Sequence, residues 1–246
     1  MIRAFRCDLH VHTCLSPCAS LDMYPSALVE RAHAEKLDVI AVCDHNASEN
    51  VPYVIRAALG HDLVVLPGME ITSREEVHLL ALFDKMDDLQ WLQDIVYSHL
   101  HGMNDQNRFG CQAIVNELDE IEGFNHRLLI GATELSLSDL VRRVHDLSGI
   151  AIASHIDRES FSVISQLGFI DPEISFDALE ISGRTGIAQA RRKYPELAQY
   201  PFLTSSDAHR IEEIGNGYTE IFLEEPSIHE LKLAFSGQMG RRIAGC

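Results

Sequence analysis

What this chain lacks sets its bounds. It contains no run of eighteen apolar residues, so no transmembrane helix is expected. Its first ten residues, MIRAFRCDLH, hold no long apolar segment ahead of a small-residue cleavage site, which argues against a signal peptide and for a cytoplasmic protein. Cysteines number six in 246 residues (Cys7, Cys14, Cys18, Cys43, Cys111 and Cys246), too sparse for a disulfide framework. Cys14 and Cys18 stand at C-x3-C spacing, but no second pair completes a structural zinc module, so they read as loop thiols. Internal repeats and low-complexity linkers are absent. Basic residues are outnumbered, 20 against 37 acidic, for a net charge of -17. An acidic surface repels long nucleic acid, whose binding is largely phosphate neutralisation, so long nucleic acid is not expected as a partner. A small phosphorylated substrate or nucleotide remains compatible if bound divalent metals make the site locally positive.

The chain does have ordinary globular content, with 46% hydrophobic and 23% charged residues. Short apolar runs occupy residues 38–43, 62–66, 77–83, 149–154, 177–181 and 201–204, with a weaker one around Ile2–Leu9. Their length and β-branched content predict buried strands. Helical patterns fall between them at 25–36, 136–148, 186–193 and 227–236; the first opens on Pro25 and places Leu28, Val29 and Ala32 on one face. This alternation predicts an α/β fold with a mostly parallel sheet, and seven strands make a closed or nearly closed barrel. Residues 84–133 break the rhythm. They read as two helices, 87–101 and 105–121, and a glycine-bearing loop. We expect a helical insertion, acting as a lid or a dimer contact, within one domain spanning 1–246.

Thirteen histidines are present, and their placement is informative. His10 and His12 accompany the first run, Asp44-His45 the second, Glu70 the third, His78 the fourth and His155 the fifth. Asp207 and His209 follow the last. Strand C-termini of a parallel α/β barrel meet on one face, where active sites are assembled. A convergence of six histidines with Asp and Glu matches the ligand preferences of Zn, Mn or Fe. In HVH, residues i and i+2 point the same way from a strand, so both can grip one ion; DAH repeats that spacing. Glu70 could bridge two ions. Taken singly, each has a blander reading: His78 as a core histidine, Glu70 as a turn cap, Asp44-His45 as a mere dipeptide. Repetition at strand ends favours the metal reading. His33, His61, His99, His101, His126, His145 and His229 lie in helices or loops and receive no role.

The ordered segments DLHVHT, VCDHN, PGMEIT, EVHLLAL, SHIDR and SSDAHR resemble those of the PHP (polymerase and histidinol phosphatase) superfamily of metal-dependent phosphoesterases, from Asp8 to about Ile243. The resemblance implies a distorted (β/α)7 barrel with two or three divalent ions. It implies that His10, His12, Glu70 and Asp207 hold the first ion and that Glu70, His78 and His155 hold the second. His45 and His209 would contribute to a third, with Asp8 and Asp44 orienting the histidines from behind. The family often reads DLHxHTxxSD, and the Asp of that pattern is a third-metal ligand. Here its place is taken by Pro17, with Cys18 adjacent; a thiolate there would favour zinc.

The implied activity is hydrolysis of small phosphate monoesters or nucleotides, a metal-bound hydroxide attacking phosphorus in line. His209 or His45 would protonate the leaving group where no third ion sits. Arg158, Arg184 and Arg210 lie beside the motifs and are candidates to bind substrate phosphate, against the alternative of pairing with surface carboxylates. Two other readings remain: an exonuclease on short oligonucleotides, and a non-catalytic metal-binding regulatory module. All but one of the usual ligand positions are filled, which favours an active enzyme.

Overall fold

The computed structural model describes residues 1–245. Its strands are β1 (Arg3–Val11), β2 (Val39–Val42), β3 (Val64–Thr72), β4 (His78–Leu82), β5 (Ala113–Val115), β6 (Ile121–Phe124), β7 (Ile150–Ala153), β8 (Ala178–Ser182), β9 (Phe202–Ser205), β10 (Thr219–Leu223) and β11 (Arg242–Ile243). All but β5 and β6 form one curled sheet, ordered β11-β10-β1-β2-β3-β4-β7-β8-β9. An isolated bridge between Val11 and Ala208 brings the far edge back to β1, and the His12 N–H donates to the Ala208 carbonyl at 3.0 Å. Seven strands (β1 to β4 and β7 to β9) therefore make the distorted (β/α)7 barrel. β10 and β11 continue antiparallel from the other edge of β1.

The pairs β1–β2, β2–β3, β7–β8 and β8–β9 are parallel. β4 is reversed and runs antiparallel to both β3 and β7. The cause is the connection. Residues 73–77 are too few for a crossover, which needs a dozen or more. They close a tight turn instead, with the Ser73 N–H donating to the Val77 carbonyl at 2.9 Å. The reversal has a functional result: His78, the first residue of β4, pairs with Thr72 at the end of β3 and so shares one barrel mouth with the other strand ends.

Alternate residues point into the barrel. Leu66, Gly68 and Glu70 of β3, Leu82, Leu80 and His78 of β4, and Ala178 and Glu180 of β8 each run from an apolar floor to a polar mouth. Leu66, Leu80, Leu82 and Ala178 pack in one interior cluster with Cys7, Leu9 and Ile152. The floor is tight. A Cβ on Gly68 would lie 2.8 Å from the Cys43 sulfur and 2.9 Å from the Val42 carbonyl. Outside the sheet, Met69, Ile71, Leu79 and Ala81 meet helix residues including Leu28, Leu89, Leu92 and Leu140.

Helices Pro25–Ala34, Met86–His99, Leu137–Asp146, Ile187–Lys193 and Ile228–Phe235 lie where the patterns predict, and two short ones, Val51–Ala57 and Val163–Leu167, were not anticipated. The expected helix over 105–121 is not formed. Only Gln106–Phe109 is helical, Gly110 ends it at φ 92°, and the β5–β6 hairpin follows. The reason is local. The β-branched Ile114 and Val115 favour strand, and the Asn116 side-chain oxygen accepts the Leu118 and Glu120 N–H groups at 2.9 and 3.0 Å, which builds the turn. Among the described residues, no helix is long and apolar enough to cross a membrane.

Candidate metal centre

Glu70 is the hub of the mouth. Its Oε1 lies 2.9 Å from His78 Nδ1, 3.3 Å from His155 Nε2 and 3.4 Å from His10 Nε2. Its Oε2 lies 3.0 Å from His45 Nδ1 and 3.5 Å from His12 Nε2. Asp207 Oδ1 closes the opposite side, 3.1 Å from His12 Nε2 and 3.3 Å from His10 Nε2. His209 sits at the rim, its Nδ1–H donating to the Asp207 carbonyl at 2.9 Å, so that Nε2 faces away from that carbonyl. The eight residues His10, His12, His45, Glu70, His78, His155, Asp207 and His209, drawn from six separate segments, thus meet in one cluster.

The donor set fits divalent ions. In three sets the ligand atoms all lie within 4.8 Å of one another: His10, His12 and Glu70; His45, Glu70 and His78; His12, His45 and His209. Glu70 Oε1, His45 Nδ1, His78 Nδ1 and His155 Nδ1 are buried without a hydrogen-bond partner. Such atoms are costly unless something else satisfies them, and packed imidazoles and carboxylates are what Zn, Mn or Fe take. Burial opposes the charge of Glu70 and Asp207, but the surrounding histidines, His78 and His10 foremost for Glu70 and His10 and His12 for Asp207, hold both carboxylates well below their ordinary range. His155 and Asp207 adopt left-handed backbone at φ 28° and 50°. Non-glycine residues held there carry strain of about 1–3 kcal/mol, which clusters at functional sites.

Behind this layer the structure adds a residue that the motifs did not suggest. Glu180 of β8 accepts from His10 Nδ1 at 3.0 Å and from the His155 N–H at 3.0 Å. The available signal was a carboxylate inside the apolar run DALEI. Ser16 is the corresponding neighbour of His12, with Oγ 2.9 Å from Nδ1. Asp44 accepts from Ser16 Oγ at 2.6 Å and from Thr13 N and Oγ1 at 2.7 Å, reaching His12 only through Ser16. Asp8 touches no histidine by hydrogen bond; it accepts the Ser206 and Gly215 N–H groups at 2.9 and 3.1 Å. Burial raises its carboxyl to about 6.

The three arginines separate. Arg158 Nη1 lies 2.6 Å from Asp207 Oδ2. Arg158 and Arg184 both line a cavity of about 870 Å³ that includes Asp207, Ser160, Thr185 and Asn216. Arg210 is exposed and is not part of that lining. Of the loop thiols, Cys14 is buried, with Asn50 Nδ2 3.7 Å from its sulfur. Cys18 is exposed; desolvation works against its ionisation, but the neighbouring imidazoles of His209 and His45 favour the thiolate and bring the thiol down to about 6.

The insertion is tied to this mouth. Asn50 Nδ2 donates to Thr13 Oγ1 at 2.9 Å and to the Ala113 carbonyl at 3.0 Å. Asn46 Nδ2 donates to the Leu129 and Gly131 carbonyls, each at 2.8 Å.

Comparison with known proteins agrees with this architecture. The family model for the PHP domain matches residues 8–166, and a second, described as PHP-associated, matches residues 190–234. The chain is 32% identical over 111 residues to the Bacillus subtilis protein YqxK, covering 43% of this chain and 28% of that one. It is 33% identical over 82 residues to a 5'-3' exoribonuclease of Haemophilus influenzae, covering 32% of this chain and 29% of the relative. Among solved structures it resembles the lesion-specific endonuclease EndoQ of Pyrococcus furiosus, with TM-score 0.74, 16% identity, and 98% of this chain aligned to 58% of that one. A complex of endonuclease Q with a 27-mer duplex bearing an abasic lesion at its active site aligns with TM-score 0.71 and 16% identity, again over 98% of this chain and 58% of that one. The chain thus spans less than a third of these two relatives and a little over half of the endonuclease chain.

These findings overturn the expectation against long nucleic acid. An endonuclease of this fold holds duplex DNA, and a stretch of this sequence is shared with an exoribonuclease. The error was to read a whole-chain sum as a local potential. A net charge of -17 describes the surface at large, while Arg158 and Arg184 and any cation at Glu70 set the field at the mouth.

Proposed function

The chain belongs to the PHP domain family, and on that premise we propose that it is a metal-dependent hydrolase of phosphate esters, acting on nucleotides or on nucleic-acid strands. One observation carries the reading: a single carboxylate, Glu70, is contacted by five imidazoles beside a polar cavity lined by two guanidinium groups. His10, His12, Glu70 and Asp207 would hold one divalent ion and Glu70, His78 and His155 a second, zinc, manganese and iron being the metals such donors suit. When bound, these ions activate a water and offset charge on the phosphoryl oxygens.

The chain's own residues do the rest. Glu180 and Ser16 fix the ring orientation of His10 and His12 through their Nδ1 atoms. Arg158 and Arg184 bind non-reacting phosphate oxygens from the cavity side, where charge-assisted hydrogen bonds are strongest. Arg210, exposed and outside the cavity, is left out of this role. His45 and His209 serve the leaving group, whose oxygen takes up negative charge as the ester breaks. The segment 84–133 belongs to the same domain, which its hydrogen bonds to Asn46 and Asn50 support. The free thiols of Cys7, Cys14, Cys18, Cys43 and Cys111 suit a cytoplasmic setting.

The nuclease reading draws its support from the exoribonuclease and endonuclease likenesses. The test is metal analysis of the purified protein, then assay of p-nitrophenyl phosphate, nucleotides, bisphosphonucleosides and oligonucleotides with Mn or Zn. Turnover of any of these, lost in Glu70→Gln, supports phosphoester hydrolysis. Bound metal with no turnover on any substrate supports the regulatory module instead.

A further inference from the structure

The loop after β7 spans the mouth between Arg158 and Phe161. Arg158 opens this stretch, with Nη1 2.6 Å from Asp207 Oδ2. Glu159 and Ser160 follow on the cavity wall. Phe161 ends it, its ring stacked on the imidazole of His78 with 4.7 Å between centroids and 17° between planes. A guanidinium group therefore stands on the Asp207 side of the cluster and a phenyl ring on the His78 side.

Phe161 does not serve the core. Among the described residues it joins none of the apolar clusters, and it is 39% exposed. Its backbone is left-handed, at φ 57°, a region that bulky side chains rarely enter. Such a conformation persists where neighbouring contacts enforce it, as at ligand-binding sites. Two contacts do so here. The Phe161 carbonyl accepts the His78 N–H at 2.9 Å. Ser162 Oγ donates to the Arg158 carbonyl at 2.8 Å, which closes the loop on itself. The adjoining cavity is of the opposite character. Its described lining, with Arg158, Arg184, Ser160, Thr185 and Asn216, offers charge and hydrogen bonds and includes no aromatic ring.

We propose that Phe161 is a nucleobase platform: a base lies against the exposed part of its ring while the phosphate of the same nucleotide sits at the mouth beside Arg158. The proposal rests on the reading of the mouth as a phosphoester site, and it assigns the part of the substrate that Arg158 and Arg184 cannot hold. Offset stacking is a favoured arrangement for flat rings. His78 already occupies one side of the phenyl ring, so the platform is oriented before a base arrives, which lowers the cost of binding. Every base has a π-face, so the platform takes purines and pyrimidines alike. Phe161 thereby selects nucleotides over plain sugar phosphates without touching the reacting atoms.

Two probes that differ only in the base test this without any assay of turnover. The full chain, supplied with zinc, is titrated calorimetrically with the phosphonate analogues of AMP and of methyl riboside 5-phosphate, whose C–P bond resists hydrolysis. The readout is the ratio of the two Kd values within each variant. We expect the unmodified chain to favour the AMP analogue by about tenfold, the size of one base–aromatic stack. Phe161→Leu keeps an apolar cover on His78 but has no ring, so its ratio should fall to near one, and Phe161→Tyr should restore it. A ratio near one in the unmodified chain overturns the platform and leaves the phosphoester site standing. So does Phe161→Leu if it weakens both probes and keeps the ratio, since Phe161 then only packs on His78. Binding of neither probe to the unmodified chain overturns both. Should Phe161→Leu fold poorly, Phe161→Trp decides the matter in a Trp91→Phe background, Trp91 being the sole tryptophan. Its fluorescence should be quenched by the AMP analogue and not by the riboside analogue, and an equal response to the two removes the platform.

Discussion

His10 and Glu180 meet inside the barrel, with Nδ1 3.0 Å from Oε2 and both side chains buried. The contact determines which nitrogen of His10 faces the cluster. With Nδ1 committed to the carboxylate, Nε2 is presented to Glu70 and Asp207. The Glu180→Gln variant keeps the shape and a hydrogen bond but loses the charge. We expect its metal affinity to fall about 10–100-fold, as for other carboxylates behind a histidine ligand. Competition with a chromophoric chelator reads this directly, and unchanged affinity would assign Glu180 to packing alone.

Glu70→Gln removes the shared anion itself. Five imidazoles then face a neutral amide, and any metal held there would lose an anionic ligand. We expect turnover to drop by about 100-fold or more, as for other loss of electrostatic stabilisation at a site, together with a loss of bound metal on elemental analysis. Chelation of the unmodified protein should do the same and lower Tm, because a ligand bound only to the folded state stabilises it. Restoring metal should restore both. Full activity after exhaustive chelation would sink the metal-dependent reading.

How much of this was legible beforehand divides by the range of the interaction. The strands are marked by apolar runs, and the residues that cluster at the mouth by histidines repeated at the strand ends, because both are written in consecutive residues. Reversal of β4 was not, since it depends on how few residues the 73–77 turn contains, and His78 reached the mouth by that route. The hairpin at 113–124 carries no clear strand signal, because Ala113 to Val115 is too short to show a period of two. Glu180 is not marked by its neighbours in sequence, because its partner, His10, is 170 residues away. The nucleic-acid expectation failed for a different reason: net charge carries no positional information.

Arg158 and Arg184 carry a separable expectation. Replacing either with alanine removes a charge-assisted contact to phosphate, about 1.5 kcal/mol or more, which is about tenfold in affinity. The KM for phosphorylated substrates should rise by that factor. Arg184→Ala should leave kcat nearly unchanged, whereas Arg158→Ala should also lower kcat because its guanidinium lies 2.6 Å from Asp207. A substrate panel in which neither variant changes any KM removes both residues from binding.

Far from the mouth, Glu230 accepts Arg241 Nε at 2.9 Å and Nη2 at 2.8 Å, and the Glu224 N–H at 2.7 Å. The Arg241 hydrogen bonds lower its carboxyl below the ordinary 4.5. A depressed folded-state value means that the carboxylate adds stability above the unfolded value and loses it as pH falls through the folded one. Glu230→Gln should therefore lower Tm by a few degrees near neutrality, and the gap from the unmodified protein should narrow as pH drops through the carboxylate range. A gap that stays constant with pH would show that shape, not charge, is what Glu230 supplies.

Salt dependence discriminates between gripping a strand at one place and tracking along it. For single strands, log affinity falls against log salt with a slope of about -0.7 for each phosphate neutralised. Two arginines face the cavity, and Asp207 shares one of them. Beyond these two guanidinium groups the cavity lining holds Asp157, Glu159 and Glu213 and no other basic side chain. We therefore expect a shallow slope, about -1 to -2, when a labelled phosphorothioate strand is titrated by anisotropy at several salt concentrations. That value matches a protein holding one or two phosphates next to the metals and little else. A slope steeper than about -4 would require a longer basic track, placing strand recognition on a face other than the Arg158 and Arg184 cavity.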